Sequence, residues 1–170
     1  MKTGNQNLIL RPIELSDFDR LFEMYTNPLV MQYIYDGALF SKEKTMARIY
    51  ECIEHWKKHG FGLNIIIEKS TRKTVGYCVL RHFENEHPKL DGKIEIGYIL
   101  DQPFWNKGYA TEAVKTCIKM GFEKHHFNEI LATILPDNIA SQNVVKKAGM
   151  VYIENLSVNN LTHQIYSIKR

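Results

Sequence analysis

Apolar positions along this chain change their period several times, and each change marks a predicted element. Leu8-Ile9-Leu10-Arg11 reads as a first strand that Pro12 ends. Ser16 or Asp17 then caps a helix carrying Leu21, Phe22, Met24 and Tyr25, and Asn27-Pro28 stops it. Residues 29–35 suit a short second helix. Ser41 heads a longer one, because its hydroxyl is an acceptor for the free amides of a first turn. Met46, Ile49, Tyr50, Ile53 and Trp56 then recur at helical spacing as far as Gly60. Two runs rich in β-branched and aromatic residues, 61–68 and 74–81, flank the turn-like Lys69-Ser70-Thr71-Arg72-Lys73, which predicts an antiparallel hairpin.

After the polar loop Phe83-Glu84-Asn85-Glu86-His87-Pro88, residues 93–100 return to strand alternation. Ile94, Ile96 and Tyr98 share one face, and Glu95, Gly97 and Ile99 the other. Ala110, Ala113, Val114, Cys117, Ile118 and Gly121 form the apolar stripe of an amphipathic helix. A short strand over 130–135 follows. Asp137 or Asn138 caps a further helix whose end Gly149 marks. Residues 151–158 and 162–168, around Asn159-Asn160-Leu161, predict a closing hairpin. Strands that alternate with helices after an antiparallel start imply an α/β fold: a mixed sheet with helices on both faces.

Length and composition narrow the function classes. A chain of 170 residues suits one domain over 1–170 and buries enough surface to need neither disulfides nor a structural metal. Lys and Arg number 22 against 19 Asp and Glu, which argues against a dedicated nucleic-acid or membrane binder. Cys52, Cys78 and Cys117 are widely spaced and form no CxxC pair, so reduced core thiols and a cytoplasmic location are expected. The polar start Met1–Asn7 does not read as a secretory leader, and no apolar run approaches the ~18 residues of a spanning helix.

The stretch Trp105-Asn106-Lys107-Gly108-Tyr109-Ala110-Thr111-Glu112-Ala113 lies between a predicted strand and a predicted helix. First-turn amides of a helix have no intrahelical partner and carry partial positive charge, so they suit phosphate oxygens. Gly108 permits close backbone approach, Ala110 keeps the wall low, and Lys107 adds a charge. A plain strand-to-helix turn is the competing reading. The stretch is neither GxGxxG nor GxxxxGK.

Together with Ile94-Glu95-Ile96-Gly97-Tyr98-Ile99-Leu100, this stretch closely resembles the acetyl-CoA site of the GNAT-superfamily N-acetyltransferases. The later run from Pro136 to Met150 resembles that family's next landmark. Leu8-Ile9-Leu10-Arg11-Pro12 with Asp17 is similar to the branch of the RimJ and RimL ribosomal-protein N-terminal acetyltransferases. The resemblance covers nearly the whole chain. It implies a mixed, mostly antiparallel sheet of about seven strands. It also implies acetyl-CoA as co-substrate without a metal, an amine acceptor, and a homodimer.

Carried over by position, Trp105, Asn106, Lys107, Gly108, Tyr109 and Ala110 match the family's (Gln/Arg)-x-x-Gly-x-(Gly/Ala) loop, whose amides, with Thr111, cradle the pyrophosphate. Trp105 departs from the Gln/Arg position, which leaves only a side-chain contact in question. The resemblance implies that the pantetheine arm pairs with the strand at Ile99 and Leu100, that Asn138 holds it from the opposite side, and that Lys147 is a phosphate contact or else a solvated helix lysine. Glu95 is the candidate base, directly or through water; a solvent-facing or salt-bridged strand glutamate is the alternative. The family's usual proton-donating tyrosine is replaced by Val145. Ser141 resembles the residue given that role in the RimL-like branch, and a structural hydroxyl or a coenzyme A contact are its other readings.

Transfer to an amine needs a neutral nitrogen, so something must accept the ammonium proton. A protein N-terminal α-amine, with a pKa of about 8, is easier to deprotonate than lysine at about 10.4. Small amines (a polyamine, an amino acid or an antibiotic) are the nearest rival acceptors, and a non-catalytic acyl-CoA sensor is the rival from another class. His55 and His59 have metal-capable i, i+4 spacing but no evident third ligand. His125-His126 suits a helix C-terminus or solvent. Tyr33, Tyr35, Phe40, Trp56 and Phe61 are candidates for an acceptor wall or for core.

Overall fold

In the computed structural model, which describes residues 7–34, 36–84, 86–158 and 160–170, the alternating stretches form the strands β1 (Leu8–Pro12), β2 (Leu63–Glu68), β3 (Thr74–His82), β4 (Ile94–Leu100), β5 (Glu129–Ile134), β6 (Val151–Val158) and β7 (Leu161–Lys169). The helices are α1 (Phe18–Tyr25), α2 (Pro28–Met31), α3 (Lys42–His59), α4 (Tyr109–Glu123) and α5 (Ile139–Lys147). Residues 1–6, Tyr35, Asn85 and Asn159 lie outside the described residues. With them go most of the polar start, the last position expected for the second helix, and one residue of each of two loops.

Local chemistry accounts for most of the boundaries. Ser41 Oγ accepts from the Lys44 amide at 3.1 Å to open α3, and Gly60 closes that helix at φ 72°. The expected helix over 29–35 shrinks to one turn, because Asn27-Pro28 begins it as well as stopping α1: Asn27 caps through the Leu29 amide and Pro28 takes a first-turn position. Asp17 stands at the cap of α1, but its carboxylate is held by Arg11 at 2.6 Å and by the Glu14 amide at 2.8 Å. β2 starts at Leu63 rather than Phe61, where Gly62 passes so close to the Trp56 indole that a Cβ would lie 2.8 Å from it.

The strands join one sheet in the order β1-β2-β3-β4-β5-β7-β6, antiparallel except between β4 and β5. The alternation of β4 divides the core as its side chains predict. Ile94, Ile96 and Leu100 pack with Ala113, Val114, Cys117 and Val145 under α4 and α5. Ile99 packs with Leu21, Met24, Ile49 and Cys52 under α1 and α3. All three cysteines are free and buried. Among the described residues no helix is long and apolar enough to cross a membrane.

Two contacts fix the upper end of β4. Arg20 of α1 ion-pairs with Asp101, whose carboxylate also accepts from the Gln102 amide at 2.9 Å and whose own amide bonds Val75 O at 2.9 Å. On β3, Gly76 lies so close to β4 that a Cβ would sit 2.1 Å from Ile99 O. That neighbour is backbone and cannot swing aside. Gly76→Ala is therefore expected to destabilise the protein by about 1–3 kcal/mol through overpacking, read as a lower midpoint in denaturant unfolding.

Candidate active site

β4 and β5 stay together for only two residues. Ile94 pairs with Ile130 and Glu95 with Leu131, whereas β3 remains registered with β4 from His82 to Gly76. Beyond Glu95 the two parallel strands diverge, so β4 from Ile96 to Leu100 is paired on its β3 side only. A cleft of about 440 Å³ opens at this divergence. Tyr98, Ile99 and Leu100 form its floor; Trp105, Asn106, Gly108, Tyr109, Ala110 and Thr111 form one wall; Asn138, Ala140, Ser141, Val144 and Lys147 form the other.

Two left-handed residues, Asn106 at φ 60° and Gly108 at φ 80°, turn the chain into α4. Gly108 is the cap residue, and no side chain caps the helix there. The first-turn residues Tyr109, Ala110 and Thr111 line the cleft, where their amides lend it partial positive charge. Acidic groups nearby are engaged elsewhere. The Glu112 carboxylate accepts from the amides of Asn7 and Leu8 at 3.1 and 3.2 Å. Glu68 accepts from the hydroxyls of Thr71 and Tyr109, which hold its carboxyl below the usual range.

The indole of Trp105 donates to Leu100 O at 2.8 Å and clamps the loop onto the end of β4. Its departure from Gln/Arg thus keeps a structural hydrogen bond. Lys107 does not line the cleft; its ammonium lies 5.2 Å from the centre of the Phe104 ring. Lys147 is exposed at the rim. Asn138 caps α5, its Oδ1 accepting from the Ser141 amide at 3.1 Å.

Ser141 lines the cleft, and its carbonyl accepts the Tyr98 phenol at 3.0 Å. Burial pushes that phenol's pKa up, so it stays protonated. Val145, at the family's tyrosine position, is fully buried in the core. The strand tyrosine, read from sequence only as one face of β4, is thus the phenol that reaches the first turn of α5.

Glu95 does not line the cleft. It is 9% exposed, on the β4 face shared with Gly97 and Ile99. Thr133 Oγ donates to its Oε1 at 2.6 Å, and Arg81 pairs with its Oε2 at 2.5 Å. Arg81 also holds Glu86 at 2.6 Å. Burial pushes the Glu95 carboxyl up, while Arg81 and the Thr133 hydroxyl pull it down.

Of the aromatic candidates, Tyr33 lines the cleft, whereas Tyr35 is outside the described residues. Phe40 stacks on Tyr25 at 4.7 Å, and Trp56 donates to Leu63 O at 2.7 Å. Phe61 is buried against His55, His82 and His125. Leu29, Val30, Gln32 and Ile34 complete the cleft and were not singled out by sequence, because a four-residue helix leaves no periodic signal. His55 Nδ1 lies 2.8 Å from Phe61 O. Among the described residues no group of three or more His, Cys, Asp or Glu side chains is arranged to hold a metal. His125 is half-buried beside Phe127, 5.6 Å between rings, rather than capping α4, which ends at Glu123.

Known proteins share this arrangement. Residues 7–151 match the family model described as an acetyltransferase (GNAT) domain. YkkB of Bacillus subtilis (strain 168) is 32% identical over 171 residues, covering 99% of this chain and 95% of its own. The crystal structure of a GNAT-family acetyltransferase from Bacillus anthracis superposes with a TM-score of 0.80 at 26% identity, over 96% of this chain and 95% of that one. RimL, a ribosomal L7/L12 alpha-N-protein acetyltransferase solved with coenzyme A, has the same fold at 17% identity, with a TM-score of 0.79 over 96% and 94% of the two chains. With its split sheet, its open helix terminus and a family match over most of its length, this chain belongs to the GNAT superfamily and is an acetyl-CoA-dependent N-acetyltransferase.

Proposed function

We propose that the acceptor is a protein N-terminal α-amine, acetylated by direct attack within a ternary complex. The observation that carries the acetyl-CoA half of this reading is the divergence of β4 from β5 beneath the uncapped terminus of α4. It leaves an extended edge and an anion-binding helix end at opposite ends of one cleft, which suits a long nucleotide thioester. RimL's fold and named activity favour an α-amine acceptor by analogy.

In this reading the amides of residues 108–111 hold the pyrophosphate, with Lys147 adding charge from the rim. Asn106 and Gly108 shape the loop, Tyr109 and Ala110 its floor, and Trp105 keeps it closed on β4. Tyr98 and Leu100, whose backbone groups point away from β3, offer them to the pantetheine arm beside Ile99, and Asn138 faces it across the cleft. Acetyl-CoA supplies the thioester. The Leu100 amide, which points away from β3, stabilises negative charge developing on the carbonyl oxygen. Glu95 takes the ammonium proton through water, along the face where Gly97 contributes no side chain. The neutral nitrogen forms the new C–N bond as the C–S bond breaks. The nitrogen's second proton passes to the departing sulfur by way of the Ser141 hydroxyl, which gives one proton and takes one, and the sulfur leaves readily because a thiol pKa is near ~8.5.

Three outcomes test this. Gly108→Val places a β-branched residue at φ 80°, where L side chains are strained by about 1–2 kcal/mol, and blocks the amides; acetyl-CoA affinity measured by calorimetry should fall about tenfold or more. Glu95→Gln should lower acceptor-dependent thiol release about 100-fold with acetyl-CoA affinity retained, and wild-type turnover would exclude Glu95 as base. In a mass-spectrometric screen with labelled acetyl-CoA, label is expected on peptide α-amines; label confined to small amines would overturn the acceptor assignment.

A further inference from the structure

We infer that Arg81 is a positioning residue for the transfer: gripped by Glu86, its guanidinium holds the Glu95 carboxylate in place at the fork of the split sheet. The inference rests on Glu95 being the base.

The geometry is specific to the fork. Glu95 is the last β4 residue registered with β5, and Arg81 stands directly opposite it on β3. Such cross-strand neighbours have side chains within direct reach. The carboxylate is therefore held from both arms: one oxygen by Arg81 of β3 at 2.5 Å, the other by Thr133 of the departing β5 at 2.6 Å. The second amino group of Arg81 holds Glu86, in the loop after β3, at 2.6 Å. A guanidinium presents a rigid fork of donors, so engaging both carboxylates leaves it little freedom to turn. Between Glu95 and Ile99, a Cα span of about 13 Å, Gly97 contributes no side chain, and Val79 packs against it, 3.2 Å from where a Cβ would stand.

The charges around Glu95 act in opposing directions. Burial disfavours its ionised form, and so does Glu86; Arg81 and the Thr133 hydroxyl favour it. Arg48 of α3, a like charge, disfavours the cationic form of Arg81. Burial works against the charge of Arg81 too, but Glu95 and Glu86 more than offset it, so the guanidinium remains cationic throughout the working range. A buried carboxylate without this partner would take up a proton at higher pH and stop accepting one from the amine. With the partner, ionisation is favoured and the carboxylate is aimed, although burial still holds its pKa above the usual carboxylate value.

Opposite signs follow for two single substitutions, which a purely structural ion pair would not produce. The test is the pH profile of kcat for the full chain, read on the acid limb that stays in place when the acceptor is exchanged for a less basic amine. Arg81→Met should move that limb to higher pH. An opposite charge at this range is worth about 1–3 pKa units, so the rate below the limb should drop about tenfold or more and recover toward alkaline pH. Glu86→Gln should move the limb to lower pH, and Arg81→Lys should restore most of the wild-type position. Melting temperature and acetyl-CoA affinity are measured alongside; if Arg81→Met does not fold, Glu86→Gln and Arg81→Lys decide. Limbs left in place by these substitutions, or moved the same way by both charge removals, would overturn the role of Arg81. Glu95→Gln separates the two claims. If it erases the limb while the Arg81 and Glu86 variants leave it alone, only this inference falls. If it keeps both limb and rate, the base assignment falls and this inference with it.

Discussion

Everything at the cleft depends on two parallel strands that pair for two residues and then part. Backbone amides and carbonyls need partners when buried, so a strand that loses its neighbour partway must find others or present its edge to a ligand. β4 does both. Leu100 O is taken by the Trp105 indole, and the Tyr98 phenol reaches across to Ser141 O. The rest of the edge toward β5 is available to an extended molecule that adds itself as a strand. Gly76 keeps β3 tight against β4 at Ile99, and Arg20 with Asp101 pins the turn that follows. The floor is therefore held rigidly on one side while the other side is open.

The electrostatics are arranged around the same opening. A helix N-terminus attracts anions only if nearby carboxylates do not cancel its partial charge. Here Glu112 bonds the amides of Asn7 and Leu8, Glu68 bonds Thr71 and Tyr109, and Asp101 bonds Arg20. These three carboxylates are thus satisfied by structural partners, and their contacts also tie β1, β2 and α1 to the α4 end of the cleft. At the opposite end, the fork holds Glu95 in a low-dielectric setting where one guanidinium changes its proton affinity substantially. The open helix terminus and the buried carboxylate are in this way kept apart.

Legibility of the site followed how local each contribution is. The loop from Trp105 to Thr111 is contiguous, and its strand-to-helix context is visible in the change of apolar period, but that context equally allowed a plain turn, and only the family resemblance pointed to a cofactor loop. Asn138 was legible as one of two candidate caps of α5, since a cap and its helix lie within a few positions, whereas Ser141 stood out only through the family resemblance. Glu95 was only half legible. Alternation established which face of β4 carries it, but its partners come from β3 and β5, 14 and 38 residues away in sequence. The aromatic candidates were least legible. Phe40, Trp56 and Phe61 have the spacing of either a wall or a core, and only packing shows them inside the structure, while the wall itself comes from the one-turn α2.

By itself the sequence determined the elements, their caps, the two faces of β4 and the glycine-marked turn into α4, because these rest on contacts within a few residues. The tertiary structure decided where β4 and β5 separate, that Glu95 is gripped by Arg81 rather than left facing solvent, and that Tyr98 rather than residue 145 brings a phenol to α5. Those outcomes depend on register and on side chains from distant strands meeting at one point. Hydrophobic period carries no record of such meetings, because it reports which face is buried and not what that face meets.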